Sequence, residues 1–265
     1  EFSGGGSEKY PEFTFNPGKE ETYAFLTDIL REVAGLFPSE CIHLGGDEVH
    51  FGNENWNNEP AVQNLMEEHQ LANLREVEKY FVLRMADSIR VLNKTVIGWD
   101  EIVDHQLQPE HSLVMWWRHD KPGQLKKALE KGYPVILCPR IPLYFDFVQH
   151  ESHQDGRRWG GAFSPAELVY AFPPDSLPGF QKYQQQIKGL QANVWTERIH
   201  NNPRLDFMLH PRLSTLAEAA WTKPAQKDFN SFKDRFIPML NFLNKHVIGY
   251  FNPLRPESTP EIPAP

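Results

Sequence analysis

Two adjacent carboxylates, Asp47 and Glu48, stand directly after a pair of glycines. The run Cys41-Ile42-His43-Leu44 reads as a buried strand, and Gly45-Gly46-Asp47-Glu48-Val49 as the turn in which it surfaces. Glycine removes side-chain bulk, so a ligand can come close to the backbone there. A carboxylate pair at a strand end is suited to general acid–base chemistry. Taken alone, the pair reads better as a solvated acidic turn without chemistry.

Its company reverses that balance. Other apolar runs end in Gly98-Trp99-Asp100-Glu101, Met115-Trp116-Trp117-Arg118 and Asn193-Val194-Trp195-Thr196-Glu197, and another leads into Tyr144-Phe145-Asp146. Indole faces cover the apolar side of a sugar ring, and carboxylates accept hydrogen bonds from its hydroxyls. Strand alternation sends Trp116 and Trp117 to opposite sides, so one of the two is expected to face a pocket. The competing reading is that these tryptophans fill a core. Asp100-Glu101 is a second acid pair that the residues alone do not rank below Asp47-Glu48.

Other chemistries find less support. His43 and His50 flank the acid pair, but no HExxH or close Cys/His cluster accompanies them, so no metal is expected. No glycine-rich phosphate loop follows a strand, so no nucleotide cofactor is expected, and no G-x-S-x-G elbow is present. The net charge of −8 at pH 7 and the absence of a basic run argue against a nucleic-acid partner. No apolar stretch is long enough for a membrane span. Cys41 and Cys138 read as buried free thiols rather than a disulfide framework.

The elements that must position these residues alternate. Helices are expected over Pro17–Leu36, near Glu59–Gln70 and Asn73–Leu92, over Gln124–Lys131, and near Pro203–Trp221 and Asp228–Gly249. Strands are expected over Cys41–Leu44, Thr95–Trp99, Ser112–Trp117, Pro134–Cys138 and Gly189–Trp195. A Pro- and Gly-rich stretch, Pro139 to about Lys188, reads as an irregular segment of functional use. Alternation of this kind implies a parallel sheet with helical crossovers. Acids and indoles gathered at the C-terminal ends of parallel strands fit a (β/α)8 barrel, whereas an open doubly wound sheet would hold a ligand at one switch point. Five strands are three short of eight, so the chain is expected to be the C-terminal part of a barrel. Residues 1–16 are expected to be a flexible segment, 17–251 the partial barrel, and 252–265 a Pro-rich tail that frays.

The strand-end motifs, in this order, resemble family 20 of the glycoside hydrolases, the β-N-acetylhexosaminidases. His43-Leu44-Gly45-Gly46-Asp47-Glu48-Val49 is similar to that family's signature. Gly98-Trp99-Asp100-Glu101, Trp117, Tyr144-x-Asp146 and Asn193-Val194-Trp195-Thr196-Glu197 resemble its later strand ends. The resemblance covers about residues 15 to 250 and implies a TIM barrel with these strands as numbers four to eight. It implies an exo-acting hydrolase that removes terminal β-linked GlcNAc or GalNAc, with the substrate's acetamido group attacking the anomeric carbon. Glu48 is then the general acid and base. Asp47 holds the acetamido N–H, and Tyr144 donates to its carbonyl oxygen. Trp99, Trp117 and Trp195 form walls, and Trp159 in Arg158-Trp159-Gly160-Gly161 is a looser match to another pocket aromatic. Asp146 and Glu197 bind sugar hydroxyls or the acetamido surroundings, and His43 acts at most by supporting its neighbours.

The implied partners are an N-acetylhexosamine-terminated glycan and the N-terminal strands of the barrel. Family habit implies an extracytoplasmic location. The family's sugar-binding arginine after the first strand and its histidine-bearing loop have no counterpart in these residues, so the chain is expected to be a fragment. Two other functions stay open. One is an ordinary two-carboxylate glycosidase with Glu48 as acid and Asp146 as nucleophile. The other is a sugar-binding partial barrel without turnover.

Overall fold

The structure, a computed structural model, describes residues 2–7, 10–49 and 54–262, with side chains from residue 15 onward apart from 54 and 55. The chain forms two compact units, Glu1–Met115 with Lys126–Val135, and Trp116–Leu125 with Ile136–Pro265. Strands β1 (Phe2–Ser7) and β2 (Tyr10–Thr14) pair antiparallel. These two strands fall within the segment 1–16 that was expected to be flexible. Strands β3 (Cys41–His43), β4 (Thr95–Trp99), β5 (Ser112–Trp116), β6 (Val135–Leu137) and β7 (Ile187–Leu190) form a second sheet in chain order.

In the first unit β3, β4 and β5 are parallel, with Ile42 opposite Val96 and Gly98 opposite Val114. Parallel neighbours need a crossover between them. Helices α1 (Glu20–Leu36), α2 (Glu54–Asn58), α3 (Pro60–Glu68) and α4 (Leu74–Val91) occupy the stretches before β4. Pro60 takes the first turn of α3, where its missing N–H is of no consequence. Asn73 caps α4, its side chain accepting from the N–H groups of Arg75 (3.0 Å) and Glu76 (3.2 Å). Leu74, Val77, Met85 and Ile89 give α4 a buried stripe at helical spacing, and Val62, Leu65 and Trp56 pack with Leu74 and Val77. Helix α1 starts at Glu20, not Pro17. Two acids in its first turn suit the positive end of the helix dipole.

In the second unit the ladder continues from Trp116, whose carbonyl accepts from Cys138 N–H (3.0 Å), to Leu137, whose carbonyl accepts from Gln191 N–H (3.0 Å). Helix α5 (Pro122–Glu130) follows β5. The expected irregular stretch after β6 contains the short kinked α6 (Arg140–Leu143) and α7 (Ala166–Ala171). The final strand was expected over Gly189–Trp195, but β7 ends at Leu190. Beyond it, Asn193 makes an isolated parallel bridge to Tyr144. The expected helix near Pro203–Trp221 is two helices, α8 (Asn202–Leu209) and α9 (Arg212–Trp221). Pro211 separates them because it has no N–H and restricts the residue before it. Helix α10 (Phe229–Lys245) packs Phe232, Phe236, Leu240 and Leu243 with Tyr170 of α7.

The Pro-rich tail makes contacts in its described part. Glu261 accepts from the N–H groups of Gln154 (2.5 Å) and Asp155 (3.0 Å), and Ile262 packs with Phe207, Met208 and Phe251. Among the described residues no helix is long and apolar enough to cross a membrane.

Candidate active site

The Gly45–Glu48 turn grows out of the β3–β4 ladder. Leu44 N–H donates to Ile97 O (2.8 Å), and Trp99 N–H donates to Gly45 O (3.0 Å), so the turn is fastened to the C-terminal end of β4. Gly45 and Gly46 have φ of 84° and 92°, the left-handed region that side chains disfavour. At Gly46 a Cβ would also lie 2.7 Å from Ile102 Cγ2. Glu48 itself has φ of 49°, a non-glycine residue in a conformation that occurs by preference at functional turns. Asp47 and Glu48 are both exposed.

His43 supports this turn. Its Nδ1 accepts from Gly45 N–H (3.0 Å), which places the ring proton on Nε2 when the imidazole is neutral. The ring meets Trp99 edge-on at 4.9 Å between centroids. Desolvation pushes its pKa below the usual imidazole range, against the pull of the Asp47 charge. The neutral tautomer is the one that keeps the turn bonded. His50 lies outside the described residues, and among the described residues no group of His, Cys, Asp or Glu is arranged to hold a metal.

The structure separates the two acid pairs that sequence left level. Asp100 is fully buried and opens a 3-10 helix, Asp100–His105, where a carboxylate suits the first turn. Asp47 and Glu48 are the pair open to a ligand in this unit, with Trp99 half-buried beside them through His43.

The second unit assembles the remaining residues. Both indoles are buried: Trp116 donates from Nε1 to Lys121 O (3.4 Å), and Trp117 stacks on Tyr144, with centroids 6.5 Å apart and planes 16° off parallel. Tyr144 also lies 6.2 Å from Trp195, which is 41% exposed. The parallel bridge explains this meeting: Phe145 N–H donates to Asn193 O (2.7 Å) and Asn193 N–H to Leu143 O (2.9 Å). Desolvation pushes the Tyr144 pKa up, so the phenol remains a hydrogen-bond donor throughout the neutral range.

Asp146 is 2% exposed, and neither carboxylate oxygen has a hydrogen bond of ordinary geometry among the described residues. Desolvation raises its pKa, while the nearby N–H dipoles of Asp146 and Trp195 and the charge of Arg157 hold it back. Arg157 lies 3.6 Å from Asp146 Oδ2 and 2.7 Å from Glu197 Oε1. Glu197 sits in a 3-10 turn, Thr196–Arg198, directly after Trp195. Trp159, 43% exposed, lies over the Arg140 guanidinium at 3.7 Å, and the same guanidinium is 4.7 Å from the Trp117 ring. Asp120 fixes Arg140 through a 2.5 Å hydrogen bond.

Sequence reading missed Arg140 and Arg157. Arg157 stands two residues before the noted Trp159, but nothing local announces that it reaches a carboxylate 40 positions on. It missed Arg212 as well, a fully buried side chain on α9. Its Nη2 donates to Phe145 O (2.6 Å) and Met208 O (2.6 Å), and its Nη1 to Phe147 O (2.8 Å) and Ser164 O (3.1 Å). Arg212 thereby clamps the backbone on both sides of Asp146.

One unit thus presents exposed acids on a glycine turn, and the other a stacked aromatic pair beside a buried carboxylate. Residues 3–224 match the family model described as glycosyl hydrolase family 20, catalytic domain, and the chain belongs to that family. It is 34% identical to a beta-hexosaminidase of Porphyromonas gingivalis over 240 residues, which is 89% of this chain and 30% of that protein. It is 30% identical to human beta-hexosaminidase subunit beta over 223 residues, 83% of this chain and 37% of that protein. Among solved structures it resembles the family 20 exo beta-N-acetylglucosaminidase of Vibrio harveyi, determined in complex with N-acetylglucosamine. That match has a TM-score of 0.83 at 28% identity and covers 92% of this chain and 38% of that one. The chain therefore spans about a third of the length of these relatives.

Proposed function

We propose that the chain supplies strands four to eight of a (β/α)8 barrel in an exo-acting β-N-acetylhexosaminidase. Its substrate is a glycan ending in β-linked GlcNAc or GalNAc. The observation that carries this reading is the Gly45–Glu48 turn, which presents two exposed, adjacent carboxylates from a single strand end. Two such groups do not flank a sugar from opposite faces, as a two-carboxylate displacement requires. A nucleophile within the substrate, the 2-acetamido oxygen, removes that requirement.

Glu48 protonates the leaving oxygen and then takes a proton from the attacking water. Asp47 accepts from the acetamido N–H and stabilises the cationic oxazolinium-like intermediate. Tyr144, kept protonated by its burial, donates to the acetamido carbonyl and aims it at the anomeric carbon. Trp99, Trp117 and Trp195 wall the sugar and its acetamido group, and Trp159 adds an outer aromatic face. Asp146 and Glu197 accept from ring hydroxyls. A location outside the cytoplasm fits such a substrate. The two-carboxylate alternative, with Asp146 as nucleophile, is less favoured because that carboxylate is 2% exposed and faces the Arg157 guanidinium at 3.6 Å, which holds its electron pairs.

The test is Glu48→Gln in the complete protein. Turnover of substrates with poor leaving groups should fall by about a thousandfold or more, with sugar binding largely kept. Near-native rates on such substrates would remove Glu48 from the role. Equal cleavage of 2-hydroxy and 2-acetamido glycosides would exclude participation of the acetamido group.

A further inference from the structure

We infer that Arg157 is a positioning residue for the sugar-hydroxyl subsite, holding Asp146 and Glu197 at the spacing and orientation in which both accept from the same sugar. The inference rests on the hexosaminidase reading and adds a residue that the family motifs do not supply.

The backbone sets Arg157 in register with the Asp146 segment. Arg157 N–H donates to Asp146 O (3.3 Å), Val148 N–H donates to Arg157 O (3.1 Å), and Phe147 and Arg157 form a parallel bridge. From that anchor the guanidinium reaches Glu197 by Nη2 at 2.7 Å and Asp146 by Nε at 3.6 Å. A guanidinium is a planar fork of five donors, so it fixes the angle between two carboxylates as well as their separation. About half of the side chain remains exposed.

The loop that carries Arg157 is itself braced. Gly156 has φ of 139°, and a Cβ there would lie 2.6 Å from Val148 Cγ1, so the chain presses directly on the neighbouring strand-like segment. Glu261 accepts from Gln154 and Asp155 N–H, and the buried Arg204 donates to Glu261 (3.1 Å), Ile262 O (2.7 Å) and Asp155 O. Arg158 donates to Glu151 O (2.8 Å) and His153 O (2.8 Å). An exposed ion pair between mobile side chains contributes little. This one joins a braced loop to a carboxylate that is 2% exposed, so it acts on a desolvated group.

The charges around Asp146 give the pH consequence. Arg157 and Arg212 favour its ionised form, and Glu197 opposes it. Arg212 bonds to the carbonyls of Phe145 and Phe147, whereas the ion pair described for the carboxylate is to Arg157. Desolvation already raises the Asp146 pKa. Removing Arg157 raises it further, so the carboxylate is lost at a higher pH and the acidic limb of kcat/KM moves upward.

The experiment compares wild type, Arg157→Gln, Arg157→Lys, Asp146→Asn and Glu197→Gln in the complete protein. The substrate is an aryl β-N-acetylglucosaminide, and folding is checked by circular dichroism. Arg157→Gln should raise KM about tenfold with kcat within about threefold, and shift the acidic limb of kcat/KM to higher pH by about half a unit or more. Arg157→Lys should recover part of both effects. An Arg157→Gln profile that superimposes on wild type, or a loss confined to kcat, overturns the inference while impaired Asp146→Asn and Glu197→Gln variants leave the subsite standing. Wild-type KM in all four variants overturns the subsite and the inference together.

Discussion

Replacing Gly98 by alanine drives a methyl group into Ile102. The added Cβ would lie 2.8 Å from Ile102 Cγ2, 2.9 Å from its Cδ1 and 3.1 Å from Gly45 O. Carbon–carbon contacts settle at about 3.5–4.0 Å, so the side chain must retreat by well over half an ångström. Ile102 is fully buried and has little room to do so. Overpacking of this kind costs about 1–3 kcal/mol. The backbone carbonyl on the third side places Gly98→Ala in the upper part of that range. Ile102→Ala alone should cost about 2–5 kcal/mol through lost burial and a cavity. In the double variant the alanine methyl enters the space the isoleucine vacated. The summed penalties should therefore exceed the measured one by about 1–2 kcal/mol. Urea unfolding followed by tryptophan fluorescence gives the three values from the midpoints and slopes. Gly45 O also accepts from Trp99 N–H, so the same wedge displaces the turn bearing Asp47 and Glu48. Catalytic rate should accordingly fall in Gly98→Ala and recover partly in the double variant. Additive stabilities within about 0.5 kcal/mol would refute the packing argument.

Arg212→Met removes the clamp on the carbonyls of Phe145, Phe147, Ser164 and Met208, and should lower stability by about 3–5 kcal/mol. A loss under about 1 kcal/mol in the same urea assay would show that those carbonyls find other partners. Glu261→Ala leaves the N–H groups of Gln154 and Asp155 and the buried Arg204 without their carboxylate. It should speed tryptic cleavage after Arg157 or Arg158 by about tenfold, reflecting easier local opening. Unchanged cleavage kinetics would mean that the tail does not brace that loop.

The features legible in the sequence are those whose cause is local. Asn73 caps its helix through atoms two and three residues away, and Pro60 opens one because φ is fixed within a single residue. In the first unit the Gly45–Glu48 and Asp100–Glu101 motifs follow the parallel strands β3 and β4, because period-two alternation and glycine turns are written into adjacent residues. Pro211 is an equally local signal for the break between α8 and α9.

The amino-acid sequence by itself determined the family and the order of the strands, because short motifs in series are written along the chain. Tertiary structure alone decided which acid pair is open. Asp100 is buried at the start of a 3-10 helix, while Glu48 stands exposed at positive φ on a turn fastened to the next strand. It also decided that Trp117 stacks on Tyr144 and that Arg157 joins Asp146 to Glu197. Burial and ion pairing depend on groups brought together from far along the chain, and one-dimensional spacing carries no record of that distance.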